Sequence, residues 1–192
     1  MFVINEDKRS SKLSKVYTSA VVIIPTEKIR APIQEIRKKY DRQINRWMPH
    51  INLLYPFLPK NQFDNIEKDL SMGCRNIESF EISFRKFKYF SHRHQNYTMW
   101  LYPEPSDLII KLQSKLLEIF PECDDVNKHK GGFTPHLSVG QIKSKELLNL
   151  TLKKLQNQWK ELKFELNSIY FISREKSKMS KFIIEKEILL KD

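Results

Sequence analysis

Residues 16–25 form a run of β-branched and apolar side chains that stops at Pro25, the pattern of a buried strand. Ile29, Ala31, Ile33 and Ile36 then recur between charges, which predicts a helix capped by Thr26 and running to about Tyr40, with Pro32 near its first turn. A second apolar strand is expected over 47–57, ended by Pro56 and Pro59. Phe63, Ile66 and Leu70 lie at helical spacing within 62–74, and residues 80–90 alternate like a half-buried strand. The first half of the chain therefore reads β-α-β-α-β.

The second half repeats that order. A strand is expected over 97–102 and a helix over 106–120 carrying Leu108, Ile109, Leu112, Leu116 and Ile119. A strand over 133–142 is bounded by Gly131 and Gly132, and a helix over 143–160 follows. Strands over 164–173 and 182–190 close the chain as a hairpin turned by the polar run 174–181. The repeat predicts an α+β class: a bilobal, duplicated β-α-β-α-β fold whose two antiparallel sheets face a central cleft, with helices outside. One domain is expected over 16–192, with lobes of about 16–92 and 93–192 that can exchange strands, behind a flexible basic tail over 1–15. That tail can be read as an arm on RNA or a nuclear signal, and a solvated tail is the simplest of the three readings.

Composition changes this picture in one respect. With 34 Lys and Arg against 23 Asp and Glu, the formal net charge is +11 and the isoelectric point is near 9.6, so the mean field attracts polyanions. Nucleic acid or a nucleotide leads the classes of partner, although charge alone does not specify a site. The two cysteines, Cys74 and Cys123, lack metal-ligand spacing, and no segment reads as a membrane span or secretory leader. The expectation is a monomer in the cytoplasm or nucleus, with no membrane association and no cofactor.

The repeat also aligns two short strings, Pro49-His50-Ile51-Asn52-Leu53 and Pro135-His136-Leu137-Ser138-Val139. Side chains alternate along a strand, so His50 shares a face with Asn52, and His136 with Ser138. Either histidine alone reads more readily as a packed strand residue than as a catalyst. Two of them, in matching strings at matching points of a repeat, are hard to assign to packing. Phosphodiester cleavage needs one group to take a proton from the attacking oxygen and another to protonate the leaving oxygen. Imidazole, with an ordinary pKa of about 6.5, suits both tasks without a metal. Asn52 and Ser138 can donate hydrogen bonds to nonbridging phosphate oxygens.

On these motifs the chain resembles the two-histidine phosphoesterase superfamily, which includes the 2′-5′ RNA ligase-like proteins and RNA 2′,3′-cyclic phosphodiesterases and is marked by two H-x-T/S motifs. The resemblance covers about 16–190. It implies a metal-independent phosphodiesterase acting on 2′,3′-cyclic phosphates or 2′-5′-linked nucleotide or RNA ends. Alternatives are a nucleotide- or RNA-binding module with little catalysis, or an RNA 3′-end exonuclease of the same superfamily.

Two positions depart from the family's pattern. Asn52 stands where a hydroxyl residue is usual, and Gln141 occupies a place where many relatives carry a phosphate-contacting arginine. Lys130, in the loop Lys128-His129-Lys130, or Arg174 at the end of the following strand could restore that charge. Tyr55, Phe133 and Tyr170 are candidates for stacking on a base. His92 and His94 form an H-x-H pair with no accompanying carboxylate or cysteine cluster, and are expected in a polar turn between the halves.

Overall fold

In the computed structural model, which describes residues 14–128 and 131–191, the chain forms eight strands and four α-helices. Strand β1 (Ser19–Ile23) leads to α1 (Glu27–Tyr40), β2 (Ile51–Leu54), α2 (Phe63–Cys74) and β3 (Phe80–His92). The second series is β4 (Asn96–Glu104), α3 (Ser106–Ile119), β5 (Leu137–Lys143), α4 (Lys145–Gln158) and β6 (Leu162–Leu166). Two further strands, β7 (Ser168–Ser173) and β8 (Ile183–Leu189), complete it. The strands make two antiparallel sheets, in the orders β2-β1-β7-β8 and β5-β4-β3-β6.

The helices form where apolar side chains recur every three or four residues. In α1, Ile29, Ile33 and Ile36 are buried, and in α3 Ile109, Leu112 and Leu116 are. They pack on one face of each sheet, where Val21, Ile23, Ile51 and Leu53 of the first sheet join Met99, Leu101, Leu137 and Val139 of the second in a single apolar core. Alternation along the strands leaves each sheet a second face. On the first sheet that face carries Ala20, Val22 and Ile172 in a small separate cluster with Phe182, Trp47 and Tyr55.

Four expectations are corrected. The boundary near residue 92 falls in the β3–β4 turn, inside one sheet: β3 pairs along its length with β4 and belongs to the second lobe, while β7 and β8 return to the first. The expected strand over 164–173 is two strands in different sheets, parted at Asn167, whose carbonyl accepts from the Leu190 amide at 2.8 Å. The expected strand over 47–57 shrinks to β2. Residues before it turn around Asp41, whose Oδ1 accepts from the Gln43 amide at 2.9 Å, and Pro49 has no amide to offer a ladder. Thr26 precedes α1 but makes no side-chain capping bond. The 1–13 part of the expected tail, and His129 and Lys130, lie outside the described residues.

Candidate active site

The two histidine strings adopt the same local structure. His50 immediately precedes β2 and His136 immediately precedes β5, each the edge strand of its sheet beside β1 or β4. In both strings the proline is buried, the histidine half-buried, the next residue buried, the polar residue half-buried and the last buried. Nδ1 of His50 lies 2.7 Å from the Met48 carbonyl, and Nδ1 of His136 lies 2.8 Å from the Thr134 carbonyl. A carbonyl only accepts, so each Nδ1 carries the proton and the lone pair of the neutral ring is on Nε2. The proline between carbonyl and histidine restricts the backbone so that the imidazole folds back two residues.

The surroundings of the rings are aromatic. Trp47 stacks on His50 at 4.5 Å between centroids and on Phe182 at 3.7 Å. Around His136, Phe90 stands edge-on at 4.9 Å and Trp100 lies 5.9 Å away. Burial lowers the His50 pKa from 6.5 to about 4, against a smaller opposing effect of the Met48 hydrogen bond. The charges of Arg37 and His136 push the same way as burial, and Asp41 pushes back. The two imidazoles are thus near enough for the charge of one to bear on the other.

A chain of hydrogen bonds ties the first motif to the second strand. Arg37, buried on α1, donates from its guanidinium to the Trp47 carbonyl at 2.8 Å and to Asp41 Oδ2 at 2.8 Å. Asp41 Oδ1 accepts from Gln141 Nε2 of β5 at 3.2 Å, and Gln141 Oε1 accepts from the Arg42 amide at 3.1 Å. Gln141, which stands at the place of the relatives' phosphate-contacting arginine and is a candidate for phosphate binding on that ground, uses its amide to brace β5 against the end of α1. Beside it, a Cβ on Gly140 would stand 2.3 Å from Tyr40 Cβ and 2.9 Å from the Tyr40 carbonyl oxygen, so only glycine allows this approach.

The other expected residues divide. Asn52 pairs across the ladder with Val22, and Ser138 with Trp100, so both lie on the sheet faces that carry the histidines. Arg174 donates from Nη1 to the Glu175 carbonyl at 2.9 Å and to the Ser177 carbonyl and Ser180 hydroxyl at 3.3 Å, with its guanidinium 5.5 Å from the Phe182 ring. Its bonds shape the β7–β8 turn. Tyr55 meets Trp47 edge-on at 5.4 Å and remains beside the first motif. Phe133 packs on the main core, and Tyr170 donates to Glu187 at 3.0 Å. His92 Nε2 lies 2.9 Å from Thr98 Oγ1 and His94 occupies a left-handed position in the β3–β4 turn. Among the described residues, no three of His, Cys, Asp and Glu gather where a metal could bind.

Missed in the sequence were Trp47, Phe90, Trp100 and Lys88. Lys88 pairs across the ladder with Trp100 and holds its ammonium 3.5 Å from the Tyr102 ring centroid and 5.8 Å from that of Trp100. The signal lay in the alternation of residues 98–102: Met99 and Leu101 enter the core, so Thr98, Trp100 and Tyr102 must face the other side. Asn52 Oδ1, Trp100 Nε1 and Arg174 Nε are also buried without a hydrogen-bond partner among the described residues. Buried polar atoms left this way are uncommon, and a fourth, Glu104 Oε2, lies at the far end of β4.

Comparison with known proteins bears on the family and the fold. The model of the 2'-5' RNA ligase superfamily matches residues 25–178. A Bacillus licheniformis protein named as a candidate phosphoesterase is 23% identical over 122 residues, 63% of this chain and 69% of its own. Among solved structures, TT0787 of Thermus thermophilus superimposes with a TM-score of 0.56 at 16% identity, covering 90% of this chain and 97% of that one. Escherichia coli LigT in complex with 3′-AMP gives 0.56 at 14% identity over 93% and 100% of the two chains. At such identity the structures speak for the fold, two antiparallel sheets with helices. The family match extends over most of the chain and includes both histidine strings, and the chain belongs to the 2'-5' RNA ligase superfamily, the two-histidine phosphoesterases.

Proposed function

We propose that this protein is a metal-independent phosphodiesterase that opens 2′,3′-cyclic phosphates or cleaves 2′-5′ linkages at nucleotide or RNA ends. The observation that carries the reading is the identical hold on the two imidazoles, each bonded through Nδ1 to a carbonyl two residues back, each with Nε2 as its reactive nitrogen. The nucleotide in the LigT complex supports a nucleotide ligand for the shared fold.

The roles are assigned from the surroundings of His50. A ring held neutral down to about pH 4 is prepared to accept a proton, which assigns the base to His50. His50 Nε2 takes a proton from water as the water oxygen bonds to phosphorus. The bond from phosphorus to one ribose oxygen breaks, and His136, in the role of acid, gives a proton from Nε2 to that oxygen, leaving a phosphomonoester. The anionic phosphate beside His50 raises its basicity once substrate is bound. Asn52 and Ser138 would donate to the nonbridging oxygens, and Lys88, held on its aromatic neighbours, would supply positive charge nearby.

The test is turnover of 2′,3′-cyclic nucleotides and short 2′-5′-linked oligonucleotides by purified protein in excess EDTA. His50→Ala and His136→Ala are each expected to lower kcat by about 10²- to 10⁴-fold, the usual worth of one acid or base. Undiminished rates in both variants would overturn the mechanism. Binding of nucleoside monophosphates with no turnover would favour a binding module, the reading that Asn52 suggests.

A further inference from the structure

The row of side chains that begins with His136 does not stop at Ser138. Leu137, Val139 and Ile142 of β5 enter the core, and an irregularity of register at Met99/Trp100 brings Gln141 opposite Thr98 and Lys143 opposite Asn96. Gln141 and Lys143 thus continue the face of His136 and Ser138. Around the open edge of β5, where the end of α1 and the start of α4 approach the strand from its helix-bearing face, these two residues border a recess of about 390 Å³. Neither histidine lines it. Tyr40, Ile142 and Leu147 supply apolar lining, and Lys38, Lys39, Arg42 and Lys143 supply cations.

The charge of this recess is not offset within it. Its one carboxylate, Asp41, is consumed by Arg37 at 2.8 Å, the Gln43 amide and Gln141. Lys38 pairs with Glu35 at 2.6 Å, but Lys39, Arg42 and Lys143 have no ion-pair partner among the described residues. Basic residues in a helix's last turn complement its dipole, which accounts for Lys38 and Lys39. Arg42 comes from the following loop and Lys143 from a strand, so that explanation does not extend to them. An apolar lining beside converging cations suits a nucleotide, whose base takes the former and whose phosphate takes the latter.

We infer that this recess is a second subsite, which holds a nucleotide of the RNA strand upstream of the one whose phosphate reacts, so that the preferred substrate is an oligonucleotide end and not a free mononucleotide. The inference rests on the proposed phosphodiesterase function. A cyclic phosphate closes the 3′ end of a strand, so every further nucleotide lies on the 5′ side. Gln141 is three residues beyond Ser138, about 10 Å at the rise of a strand. A strand bearing one phosphate per ~3.4 Å or more of length covers that with a few nucleotides.

The experiment separates binding from turnover. Equilibrium binding of a fluorescent RNA hexanucleotide with a 3′-phosphate is compared with binding of 3′-AMP, over a series of salt concentrations, for wild type and Lys39→Gln/Lys143→Gln. Wild type should bind the hexanucleotide at least about tenfold more tightly than 3′-AMP, and the double variant should abolish most of that advantage while leaving 3′-AMP binding unchanged. The slope of log K against log salt should become shallower by about 1.4, since each phosphate contact on a single strand contributes about 0.7. Equal affinity of wild type for the two ligands, or equal weakening of both by the variant, would overturn the subsite. Failure of the phosphodiesterase reading is distinguishable, because it appears as absent turnover of cyclic-phosphate ends with hexanucleotide binding and its salt slope intact.

Discussion

At the scale of single residues, the feature with the widest consequence is the depressed basicity of His50. The ring is surrounded by Trp47, Met48 and the buried Arg37–Asp41 pair, and burial is the main cause of the shift from 6.5 to about 4. Linkage gives the sign. The unfolded chain binds a proton at His50 below about pH 6.5 while the folded chain resists until about pH 4, so folding loses stability as pH falls through that window and gains nothing above it. At pH 4.5 the loss attributable to His50 is about 2 to 3 kcal/mol. Urea unfolding of wild type and His50→Gln at pH 7.0 and 4.5 measures it. The wild-type stability should fall more between the two values by that amount, and an identical fall in both proteins would show that His50 titrates normally. The same surroundings make Arg37 a critical neighbour. Arg37→Leu leaves Asp41 buried without its cation and removes the donor to the Trp47 carbonyl, a loss of about 3 to 5 kcal/mol in the same assay.

At the scale of elements, the contact between β5 and the end of α1 is the most demanding. A methyl at Gly140 would stand 2.3 Å from Tyr40 Cβ, 2.8 Å from its carbonyl carbon and 2.9 Å from its carbonyl oxygen. Two of those atoms are backbone, so helix and strand must separate to admit it. Gly140→Ala is expected to cost about 1 to 3 kcal/mol, as overpacking does, and to lower kcat by disturbing the strand that follows His136. A thermal scan with a rate measurement on the same sample checks both, and an unshifted Tm would show that the contact is loose. The elements themselves were largely legible. Ile29, Ile33 and Ile36 marked α1, and the two Pro-His strings marked the edge strands, because each signal is local. What escaped was set by partners far along the chain. Gln141 could not be read as a brace for Asp41 because the two are 100 residues apart, and Asn167 gives no local sign that β6 and β7 part there to enter different sheets.

At the scale of the molecule, the exchange of strands decides how the protein unfolds. The second sheet takes β3 from the end of the first half, and the first sheet takes β7 and β8 from the end of the chain, so neither half of the sequence contains a complete sheet. The apolar core likewise runs through both sheets and all four helices without a break. A lobe cannot melt while its neighbour stays intact, because the residues that fill the shared core come from both sheets and would be exposed on the side left standing. Unfolding should therefore be one cooperative transition. Tryptophans report on each side: Trp47 stacks beside the first sheet and Trp100 lies on the second, while Trp159 donates to the Phe84 carbonyl at 2.9 Å. Fluorescence of Trp100→Phe/Trp159→Phe follows the first lobe, and that of Trp47→Phe/Trp159→Phe the second. The substitutions themselves shift stability, so each variant is compared with its own far-ultraviolet circular dichroism. The fluorescence and dichroism midpoints should coincide within each variant. Fluorescence of either reporter moving at a lower urea concentration than the dichroism would mean that one lobe opens alone, and that the shared core does not couple the two histidine strands.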